Sequence, residues 1–116
     1  MSFNWEKFVV LAEKLHTQKS EECYRTAISR AYYGVFCILR DLKGYDKYTK
    51  GDVHSKIIEV YKKSNDSREK WIGKILDDLR NMRNTADYNG EEIISETTSQ
   101  KSILKAKEIL INLNIK

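Results

Sequence analysis

No proline occurs anywhere in these 116 residues, and only five glycines do. Proline breaks a helix interior and glycine costs about 1 kcal/mol there, so a chain nearly free of both is expected to form long helices joined by short turns. The glycines fall where turns are wanted. Gly44 and Gly51 bracket a polar stretch, and Gly90 follows a long periodic segment.

Apolar spacing divides the chain into five helical segments. Trp5 to His16 sets Phe8, Val9, Ala12 and Leu15 on one stripe. Ser20 is placed to cap a second helix that opens on Glu21 and Glu22 and runs to about Lys43, with Gly44 as its stop. Its apolar face comprises Tyr24, Ala27, Ile28, Ala31, Val35, Ile38, Leu39 and Leu42. Asp52 is expected to cap a third helix ending near Ser64, and Asn65-Asp66-Ser67 to form the next turn. The fourth helix starts near Arg68 and carries Trp71, Ile72, Ile75, Leu76, Leu79 and Met82, with Ala86 one turn further. Glu91 to Thr97 reads as an irregular connection, and Thr98 to Leu113 as a last helix with Ile103, Leu104, Ala106, Ile109, Leu110 and Leu113 inward. Each helix has one stripe to bury, and short connections favour antiparallel neighbours. The expectation is all-α: one domain over 1–116, an up-and-down four-helix bundle with an additional short helix.

Composition narrows the function. A net charge of +4 and a pI near 9.0 permit a polyanionic partner without the dense basic stripe of a dedicated DNA binder. No run approaches the ~18 apolar residues of a membrane span, and the first residues lack the basic-then-apolar order of a signal peptide, so a cytoplasmic protein without membrane contact is expected. Cys23 and Cys37 lie 14 positions apart on one helix, about 21 Å at 1.5 Å per residue, too far to bridge each other. With only His16, His54 and these two thiols there is no zinc constellation, and no phosphate loop, dinucleotide fingerprint or nucleophile elbow is present. No metal and no cofactor are expected.

The fourth helix carries a second, polar stripe. Arg80, Arg83 and Asp87 share one face by three- and four-residue spacing, Asp77, Arg80 and Asn84 a slightly rotated one, and Tyr88 follows. A guanidinium suits phosphate, Asn84 could orient a phosphate or base, and Tyr88 could stack. By spacing alone, Arg83 and Asp87 equally make a solvated ion pair. On the second helix Arg30, Tyr33 and Cys37 share a face beside Gly34, which would allow close helix approach; the bland reading is that Tyr32 and Tyr33 are core residues with hydroxyls at the rim. Residues 43 to 63 hold six lysines against three acids, a stretch that could attract a phosphate backbone or simply be solvated. His54, beside Asp52, reads as a helix-start or surface residue and only as a possible auxiliary to catalysis.

Two segments, Tyr24-Arg25-Thr26-Ala27-Ile28-Ser29-Arg30-Ala31-Tyr32-Tyr33-Gly34-Val35-Phe36 and Leu79-Arg80-Asn81-Met82-Arg83-Asn84-Thr85-Ala86-Asp87-Tyr88, with His54 between them, resemble the HEPN domains of prokaryotes over about residues 5 to 113. The resemblance implies a helical bundle that forms a homodimer and sets its motif helices near a shared cleft. It implies one of two roles: a metal-independent endoribonuclease of toxin–antitoxin or defence systems, or a partner of a small nucleotidyltransferase. The ribonuclease members carry an Arg followed after four to six residues by His. Here Arg83 and Asn84 match the start of that motif, but Tyr88, Asn89 and Gly90 stand where the imidazole belongs, and no histidine follows. Histidine is the side chain suited to proton transfer near neutral pH, whereas a carboxylate paired with arginine is a poor acid and a phenol titrating near ~10 a poor base. The expectation is therefore RNA or nucleotide binding, or nucleotidyltransferase partnering, through Arg30, Tyr33, Arg80, Arg83, Asn84, Asp87 and Tyr88. The alternatives are a ribonuclease toxin acting through Arg83, Asp87 and Tyr88, and a helical scaffold whose polar stripe only stabilises a dimer.

Overall fold

In the computed structural model, residues 3–114 are described. They form five helices and, among the described residues, no strand: α1 Glu6–His16, α2 Glu21–Leu42, α3 Val53–Lys62, α4 Ser67–Tyr88 and α5 Glu96–Asn112. The all-α architecture is the expected one. The helix ends follow the local chemistry. Ser20 accepts from the Cys23 N–H at 3.4 Å, Asp66 from Arg68 N at 2.8 Å, and Gly44 takes the left-handed φ of +76° that glycine adopts without steric cost.

Two ends differ from expectation. Asp52 occupies the N-cap position of α3 but its side chain caps nothing; the carboxylate accepts from the Tyr48 hydroxyl at 2.8 Å instead. The last helix begins two residues early, because Ser95 accepts from Thr98 N and so adds Glu96 and Thr97 to the first turn.

α2 is the central helix, packed against all four others, while α3 lies chiefly on α4. Its own face therefore buries more than a single stripe: Tyr32, Phe36 and Cys37 are buried beside Ala27, Ile28, Ala31, Val35 and Leu39. From the other helices Val9, Ile57, Tyr61, Ile72, Leu76, Leu79 and Ile109 complete the core. Leu42, Trp71 and Leu104, counted inward from periodicity, are exposed, since each sits at an edge of its stripe where no neighbouring helix reaches. The close approach expected at Gly34 is present: a Cβ there would lie 3.0 Å from the Trp5 carbonyl oxygen and 3.1 Å from Val9. Cys23 and Cys37 are free thiols.

α1 is fastened to α2 by aromatic and polar contacts together. Trp5 Nε1 donates to Asp41 at 3.0 Å, the Arg40 guanidinium covers the Trp5 ring at 5.5 Å, and Arg30 lies over both Phe8 and Tyr33. Cation–π contacts of this kind add roughly 0.5–1 kcal/mol each at partly exposed sites.

Candidate functional site

The site grows from the last two turns of α4. Arg83 and Asp87, four residues apart, pair at 2.8 Å, and both side chains are about three-quarters buried rather than solvated. Asp87 also accepts from the buried Ser29 hydroxyl at 3.2 Å, and Ser29 in turn accepts from Arg30 at 3.4 Å. A polar chain therefore runs from α2 to α4: Arg30, Ser29, Asp87, Arg83. Its effect is to lock the Arg83 guanidinium in orientation, with its centre 5.8 Å from the Tyr32 ring and 5.5 Å from that of Tyr88. Asn84 is exposed and accepts from Arg83 at 3.3 Å, and Tyr88 is 74% exposed, leaving a ring free to stack.

Arg80 has a different environment. Its Nε is buried and donates to nothing, and it has no ion-pair partner among the described residues. The acid one turn away along its own helix, Asp77, is spent on Lys62. A permanently charged guanidinium, half-buried and without a counter-charge, is costly unless an anion completes it.

His54 is where the structure departs most from expectation. It does start α3, but its ring turns inward, stacks on Phe36 with centroids 4.1 Å apart, and has Nδ1 2.7 Å from the Tyr32 hydroxyl. No rearrangement is needed to bring it near the arginines of α4. Burial, then Arg83, Arg80 and Arg40, hold its pKa down at about 4, so the imidazole is neutral at physiological pH. The Tyr32 phenol is pushed well up by burial and keeps its proton. Folded His54 resists protonation while the unfolded residue titrates near 6.5, so acid favours unfolding. Its stabilising contribution is complete above about pH 7 and is lost as pH falls from ~6.5 towards 4; discounted for partial solvent access, the loss is about 1–2 kcal/mol. Urea unfolding at pH 7.5 and 4.5 should therefore show wild type losing about that much more stability than His54→Gln. An identical pH dependence in the two would refute the assignment.

Of the residues expected to share the site, Arg80, Arg83, Asn84, Asp87 and Tyr88 gather on α4, while Arg30 reaches them only through Ser29, its guanidinium lying over Phe8 and Tyr33 on the α1 side. Tyr33 turns the other way, toward α1, where Trp5 meets its ring edge-on at 5.8 Å, with burial and the neighbouring Cys37 raising its pKa.

Two residues with roles here carried little sequence signal. Ser29 links the two helices. Arg25 sits under the end of α4: it donates to the carbonyls of Thr85, Ala86 and Asn89 at 3.4, 2.9 and 3.1 Å and to that of Glu92, while Glu21 accepts from it at 3.0 Å. Glu21 accepts as well from Ile94 N at 3.0 Å, and this contact, followed by Arg25, lowers its pKa. A cation against the orphan carbonyls of a helix C-terminus is favourable, and this one fixes the connection that follows the motif.

The sequence profile of the HEPN domain matches residues 6–115. The chain belongs to the HEPN family. An uncharacterized protein of Methanocaldococcus jannaschii is similar, 32% identical over a stretch that covers 82% of this chain and 66% of that protein, a little under two thirds of its length. No solved structure gives a significant match. In this HEPN chain no helix among the described residues is long and apolar enough to cross a membrane.

Proposed function

We propose that this HEPN protein binds RNA as a homodimer in a toxin–antitoxin or defence setting, taking a backbone phosphate between Arg80 and Arg83 with Tyr88 available to stack on a base. The observation that carries the reading is Arg80: a half-buried cation with no counter-charge among the described residues, one turn from an arginine already oriented by Asp87. A phosphodiester supplies the missing charge and suits the guanidinium fork. A neutral His54 in the same place adds no competing cation. A cognate small nucleotidyltransferase is the partner the family resemblance suggests, and a free nucleotide would use the same two arginines.

A second reading, a metal-independent ribonuclease, gains support from the inward ring of His54. A neutral imidazole can accept the proton of a ribose 2′-hydroxyl as O2′ bonds to phosphorus and the P–O5′ bond breaks, the departing O5′ taking a proton from water, to leave a 2′,3′-cyclic phosphate and a 5′-hydroxyl. The two arginines would then stabilise the charge on the phosphorane.

One experiment separates these. Labelled single-stranded RNA is incubated in EDTA with wild type, Arg83→Ala and His54→Gln, and binding, cleavage and light-scattering mass are read together. Salt-dependent binding without cleavage, weakened about tenfold or more in Arg83→Ala, is the expected result. Cleavage that disappears in both Arg83→Ala and His54→Gln would establish the second reading. A variant altered only in dimer dissociation, with RNA bound by neither protein, would reduce the polar stripe to a structural role.

A further inference from the structure

Arg80 belongs to two places at once. It shares a face of α4 with Arg83, one turn on, and it lines a groove between α3 and α4, of about 330 Å³, shared with Ser55, Glu59, Lys62, Lys63 and Asp77. Because Arg80 lines the groove and stands one helical turn before Arg83 on α4, the groove meets the arginine site at that residue. We propose that it is the continuation of the binding track: a single nucleic-acid strand whose first phosphate sits at Arg80 and Arg83 runs on between α3 and α4, where Lys62 and Lys63 take the phosphates that follow. The ligand class is then a single-stranded oligonucleotide, not a mononucleotide, an assignment that rests on the RNA-binding reading above.

Three observations carry it. First, the charge is in the right place. Residues 43–83 hold eleven Lys and Arg against seven Asp and Glu, which accounts for the whole +4 of the chain, while the remainder balances at ten and ten. Second, the lysines are held loosely. Lys63 pairs with Glu59 at 3.4 Å with side chains 75% and 53% exposed, and the Lys62–Asp77 pair is also open to water. Exposed pairs of this kind contribute little, so exchanging a carboxylate for a phosphate costs little. Third, the uncompensated guanidinium of Arg80 lies at the junction, where one strand could meet both sites. Glu59 and Asp77 leave the groove with one net positive charge, enough to follow a backbone and too little to hold a lone anion tightly.

The test compares an eight-nucleotide single-stranded RNA with uridine monophosphate on the full chain. Wild type should prefer the octamer by about tenfold or more, and its binding should weaken with salt as log K against log[salt], at roughly −0.7 per phosphate neutralised. In Lys62→Gln/Lys63→Gln, with folding checked by circular dichroism, the octamer-to-monophosphate ratio should fall toward one and the slope should flatten by about 1.4. Asp77→Asn, which frees Lys62, should tighten octamer binding about two- to threefold, in the direction opposite to any loss from misfolding. An octamer ratio and salt slope equal to wild type in the double variant would overturn the track while leaving the Arg80–Arg83 site standing. Failure of the wild type to bind either probe, or binding that survives Arg83→Ala, would instead remove the functional reading beneath it.

Discussion

Valine in place of Gly73 is expected to lower the stability of the folded chain by about 3 kcal/mol, lowering the melting temperature by about 10 °C. Gly73 lies on the buried side of α4 where α3 passes closest. A Cβ there would stand 2.7 Å from the Lys62 backbone nitrogen and 3.0 Å from the Tyr61 carbonyl carbon. These are main-chain atoms in the last turn of α3, so no side-chain rotation relieves the clash and the two helices must separate. Alanine makes the same contact but regains roughly 1 kcal/mol of helix propensity over glycine, so its net cost should be smaller, about 1–2 kcal/mol. Separation would also widen the groove that holds Lys62 and Arg80, so RNA affinity should fall along with stability. Thermal melts of the two variants beside wild type decide the matter, and valine no worse than a surface substitution would refute the close approach.

Arg25→Met should be nearly as damaging, by about 2–3 kcal/mol, although methionine keeps most of the apolar stem. The loss has two parts. The carbonyls at the end of α4 and of Glu92 lose a charged donor, and Glu21 loses the guanidinium that shares its carboxylate with Ile94 N. Amide exchange should accelerate in residues 89–95 and the last turn of α4, while the α1–α2 contact stays protected. Asp87 and Tyr88 lie in that last turn, so ligand affinity should drop without Arg25 touching the ligand. Unchanged exchange in 89–95 would mean that Ile94, buried against Ile28 and Ala86, holds the connection by itself.

The arginine clamp and the inward histidine are the features that sequence reasoning left out, and for related reasons. Arg25 reads as one more cation on a helix with Glu21 four residues earlier, an ordinary pair. Its carbonyl acceptors lie some 60 residues away, at the end of α4 and in the connection that follows, where no local pattern pairs them with α2. His54 has Asp52 and Ser55 as neighbours, and adjacent polar residues suggest solvent. The ring is inside because α3 leans on α4 and presents its first turn to Phe36 and Tyr32 of α2, an angle of approach that no local pattern encodes.

What the chain determined by itself is whatever is settled within about four residues: five helices from apolar spacing and the absence of proline, the Ser20 cap, the stop at Gly44, and the Arg83–Asp87 pair. Helix geometry dictates these before any helix meets another. Only the tertiary structure decided which charges stay paired. Asp77 could serve Arg80 along the helix, but α3 delivers Lys62 to it. Arg80 is left uncompensated by that competition across helices, and the candidate site exists because packing, not periodicity, sets its outcome.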